Sequence, residues 1–116
     1  MMSAATLAER IETIESGYEF MLAYAAQGRD DDQAGGPGPH IRDVLAGIDA
    51  ALDGLGDAVT IDAGRFAEVL REDAAKAQAA VQFVLAQRRI SSQLVDNLNA
   101  SIHLRALLTD LFLLDT

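Results

Sequence analysis

Three carboxylates and two histidines are the side chains of this chain whose types and spacing invite chemistry. Glu12, Glu15 and Glu19 step by 3 and 4 residues, which on a helix lines them along one edge. Such a row could ligate a metal ion or pair with arginines of a neighbouring helix or partner; its plain reading is a solvated helix edge. Met21 and His103 form the one pair able to offer axial ligands to a non-covalently bound haem from facing helices. Read plainly, Met21 is core filler and His103 a helix-edge residue. Phosphoryl transfer on His103 has no supporting motif.

Asp73 is the remaining candidate. At helical spacing it lies between Phe66 and Val84, near the middle of an apolar stripe. A carboxylate buried there must be paired, or it raises its pKa and becomes neutral. It is therefore a buried-polar candidate, with a structural ion pair to an arginine, or a rotation that exposes it, as the plainer readings.

Several chemistries are excluded outright. Neither His40 nor His103 has Glu three residues before it, so the Glu-x-x-His signature of di-iron bundles is missing. The chain has no cysteine and no Gly-x-Ser-x-Gly turn, and GGPGP at 35–39 matches neither phosphate-loop spacing. These absences argue against an enzyme and for no resident cofactor.

The elements that must carry these residues read as helices. The first is predicted over 4–27, with Thr6 and Glu9 at capping-box spacing and Gly28 as its stop. Its seam is Leu7, Ile11, Ile14, Tyr18, Met21 and Ala25. Gly17 sits inside this helix at a cost of about 1 kcal/mol against Ala, and is either a place for a close helix crossing at Tyr18 or simply tolerated. Residues 28–39, GRDDDQAGGPGP, read as a flexible acidic Gly/Pro loop. A second helix is predicted over 40–55, its seam Ile41, Leu45, Ile48, Leu52 and Leu55. A third starts near Thr60 or Asp62 and runs to about Arg89, with Phe66, Leu70, Ala74, Ala77, Val81 and Val84 as its stripe.

The fourth, Ser91 to Leu114, contains no Gly or Pro and is the longest apolar-rich stretch. At about 100° per residue, Leu104, Leu107, Leu108, Leu111 and Leu114 share one side, whereas Val95, Ile102 and Leu113 fall nearly opposite. A helix apolar on two sides sits between several helices of its own chain or between two chains. Val95, Ile102, Phe112 and Leu113 are accordingly the expected interaction surface.

The fold expected is a single all-α domain over 1–116, an up-and-down four-helix bundle. In an alternative, the third and fourth helices are continuous and a second subunit completes the bundle. A net charge of -9 and the lack of a clustered basic face argue against nucleic acid and would favour a basic or apolar partner surface. The start, MMSAATLAER, has no basic-then-apolar leader, and no segment reaches the ~18 apolar residues of a membrane span, which reads as cytoplasmic with no membrane contact. Function is expected to lie in protein–protein contact, as a homodimeric regulator, adaptor or accessory subunit. The rival expectations are a cofactor- or metal-carrying bundle and an export-type chaperone for an amphipathic client helix.

Overall fold

The computed structural model describes residues 6–33, 40–59 and 62–114. Helix α1 (Leu7–Ala25) begins where the capping pattern places it, with the Thr6 hydroxyl accepting a hydrogen bond from the Glu9 amide at 3.1 Å. Its buried face is Ile14, Gly17, Met21 and Tyr24. The predicted seam is thus rotated by about one position: Ile14 and Met21 are in the core, while Leu7, Ile11, Tyr18 and Ala25 pack at its margin. Gly28, at φ 65°, turns the chain beyond the helix end.

Helix α2 (Ile41–Leu52) buries Ile41, Leu45, Ile48, Ala51 and Leu52. Gly54, at φ 67°, ends the run, so that Leu55 belongs to a single turn, α3 (Leu55–Ala58). Gly17 explains how closely α2 approaches α1, since a Cβ at position 17 would lie 2.6 Å from Ile48 Cδ1. Asp62 does not begin a helix. Its carboxylate accepts from the Gly64 amide in a tight turn, and α4 (Phe66–Leu85) starts only after Gly64 has taken φ 56°. Of the predicted stripe of α4, Leu70, Ala74, Ala77, Val81 and Val84 are buried, whereas Phe66, at the first position of the helix, is only half-buried. Ala4, Thr60 and the glycine- and proline-rich segment 34–39 lie outside the described residues.

The expected fourth helix is two helices, and they are not continuous with α4. Ser91 caps α5 (Ser92–Ala100) by accepting from the Leu94 amide at 3.0 Å. The chain then turns at Ser101 and Ile102 before α6 (His103–Leu114). Ile102 is held at φ 60°, an uncommon conformation for a β-branched residue. Packing supplies the reason. On one straight helix Val95 and Leu98 would face away from Leu104, Leu107 and Leu111; after the break all five are buried, none more than 5% exposed. The two-sided pattern is answered by a bend within the chain.

All elements among the described residues are helical. Helix α1 packs mainly on α2 and α5, and α4 mainly on α6 and α2, with α3 against α4. A polar cluster ties the chain between α1 and α2 to the chain between α4 and α5. Arg42 of α2 donates to the carbonyls of Leu85, Gln87 and Arg88, taking up acceptors that the end of α4 leaves free, and pairs with Asp32. Asp32 also accepts from the Ile90 amide at 2.9 Å. Burial alone would raise the Asp32 carboxyl; its hydrogen bonds from Ile90 and Arg42 outweigh that and hold it below the ordinary aspartate value. Ser92 completes the tie, its hydroxyl donating to the Tyr24 carbonyl at 2.7 Å and accepting from the Arg29 amide at 2.8 Å. The first half of the predicted flexible loop, up to Gln33, is therefore pinned rather than free.

Candidate functional site

The sequence candidates separate into three places. The acidic row does not converge. Glu12 lines a groove between α1 and α2 together with Glu9, Thr13, Ser16 and Asp43, above a floor that includes Gly17, Phe20 and Val44. Glu15 and Glu19 turn toward α6 instead. Among the described residues no three acidic, histidine or cysteine side chains gather as a metal site would require. Met21 is fully buried in the core and His103 is half-buried at the first turn of α6.

The second place is the outward side of α6. Ile102 is 60% exposed and Leu113 64%, with Phe112 at 52%. Arg105 and Thr109 are exposed on the same helix between them. Of the four residues expected at the interaction surface, Val95 is the exception: it is 0% exposed and belongs to the core, because the break at Ile102 swings α5 inward. Alongside this face runs a groove of about 370 Å³, lined by Glu15, Tyr18 and Glu19 of α1 and Arg105, Leu108, Thr109 and Phe112 of α6. It carries both signs of charge around an apolar floor. One turn beyond Glu19 on α1, Leu22 is also exposed.

The third place is the α4–α6 contact. Asp73 is half-buried on α4, as its position in the stripe requires, but no arginine meets it. Its partner is Asp110 of α6, 8% exposed and within hydrogen-bonding reach of Asp73. Burial, and then the neighbouring Asp73 carboxyl, push Asp110 up to about 7. Asp110 was not among the sequence candidates. A signal existed, because the residue interrupts the apolar run LLTDLFLL and lies next to the buried positions Leu107 and Leu111.

No protein-family model matches the chain, and no curated protein or solved structure does either. No helix of the described residues is long and apolar enough to cross a membrane.

Proposed function

We propose that this chain is a small acidic, non-enzymatic helical protein that acts through protein–protein contact, and that its first partner is a second copy of itself. The observation that carries this reading is the outward face of α6, where Ile102 and Leu113 stand 60% and 64% exposed beside the mixed-charge groove. Ile102, just before α6, and Phe112 and Leu113, near its far end, are large apolar side chains that an interface along the helix would bury, at about 1.5–3 kcal/mol for each one fully covered. The net charge of -9 works against a second copy at long range, but the local charges of the groove suit one. In a two-fold contact the same patch meets itself, and because the groove carries Arg105 on one wall and Glu15 and Glu19 on the other, an antiparallel docking would set Arg105 of one copy opposite Glu15 and Glu19 of the other. A strongly basic partner would find Arg105 in its way, and a purely apolar one would leave three charges without partners.

On this reading the four longer helical regions form a bundle whose outer α6 face is completed by a second subunit. The double variant Ile102→Glu with Leu113→Glu tests it. The expected result is a monomer by light scattering with helicity by circular dichroism unchanged. Unfolding of the variant would place these residues in the monomer core and remove the interface. A wild-type monomer that retains its exposed apolar face would instead favour the chaperone reading, in which a client helix occupies the same groove.

A further inference from the structure

Two carboxylates meet in the α4–α6 contact with no cation between them. Asp110 is 8% exposed, and its Oδ2 is buried without a hydrogen-bond partner. A carboxylate only accepts, so when both groups are ionised neither Asp73 nor Asp110 can satisfy the other. One proton changes this. It makes one group a donor, supplies the missing partner and removes the like-charge repulsion.

We propose that Asp73 and Asp110 share a single proton that seats α6 on α4, and that the contact loosens when this proton is lost.

The surroundings leave the pair to itself. Of the charged side chains on the helices that pack against α6, Asp73 is the one that acts on Asp110. Glu15 and Glu19 of α1 face the Arg105 side of α6, and Asp96 of α5 is exposed. On α4 the flanking Glu72 and Lys76 are also exposed. The sign follows from linkage. In the folded chain the proton is held up to a pH of about 7, against an ordinary aspartate value of 3.8. Folding therefore takes up a proton between these limits: the stabilisation is complete below about pH 4 and is lost as the pH rises through about 7. The inference is independent of what α6 contacts.

The test is a series of thermal melts from pH 5 to pH 8 on the wild type, Asp110→Asn and Asp73→Asn. Either amide donates a hydrogen bond to the remaining carboxylate and cannot lose the charge balance. The wild type is expected to lose about 5–10 °C more than Asp110→Asn across this range, with Asp73→Asn in between because Asp110 stays buried there. Parallel curves for the wild type and the variants would overturn the proposal. Carboxyl 13C titration of the wild type is the check that needs no variant: one aspartate carboxyl is expected to titrate between pH 6 and 8. If all of them titrate below pH 5, there is no shared proton.

Discussion

The Cδ1 atom of Ile48 occupies the space that a side chain at Gly17 would need: a Cβ there would fall 2.6 Å from it and 2.7 Å from Ile48 Cγ1. The missing side chain is what lets α2 lie close on α1. Gly17→Ala gains about 1 kcal/mol of helix propensity but overpacks the crossing, which costs about 1–3 kcal/mol. Net destabilisation is expected in urea unfolding. Gly47→Ala is the matched control, because the nearest atom to its Cβ would be Thr13 Cγ2 at 3.9 Å. That variant should gain about 0.5–1 kcal/mol. Equal effects at the two positions would mean that the close crossing does not limit packing.

Arg42 should be the most sensitive polar side chain. Arg42→Ala removes donors from the Leu85, Gln87 and Arg88 carbonyls and leaves the buried Asp32 carboxylate facing them. With the guanidinium about a third exposed, the expected loss at pH 7 is about 1–3 kcal/mol. The effect has a pH signature. Asp32 is held below its ordinary value, so its stabilisation is present above about pH 4 and is lost as the pH falls through the lowered value. The difference in unfolding free energy between wild type and variant should narrow in acid, down to the part that the three carbonyl hydrogen bonds supply. A constant difference from pH 7 down to pH 2 would contradict this.

Ile102 is strained as well as exposed, at φ 60° and 60% accessible. Ile102→Gly relieves a left-handed β-branched residue and removes little packing, so the monomer should gain about 0.5–1 kcal/mol. Urea midpoints at low protein concentration read this directly. A loss of stability would show that the isoleucine packs within its own chain.

What was legible in the sequence follows from how local its cause is. Thr6 as a cap and the stripe of α4 from Leu70 to Val84 depend on residues within a few turns, and both hold. The bend at Ser101–Ile102 has no glycine or proline to announce it. It is decided by Val95 and Leu98 having to reach the same core as Leu104, Leu107 and Leu111. A straight helix over this segment would put Val95 on the surface, whereas the bend buries it. The Arg42 cluster was invisible for a related reason, since it joins positions 43 to 46 residues apart through backbone carbonyls that every residue possesses.

If α6 offers its outward face to a second copy, as proposed, the protein is a dimer in solution. The most direct measurement is the solution mass of the wild-type protein by light scattering during size exclusion, over a series of concentrations. A mass of twice the 12.4 kDa chain, falling toward one chain on dilution, is the result expected. A mass of one chain at every concentration, up to several hundred micromolar, would contradict it.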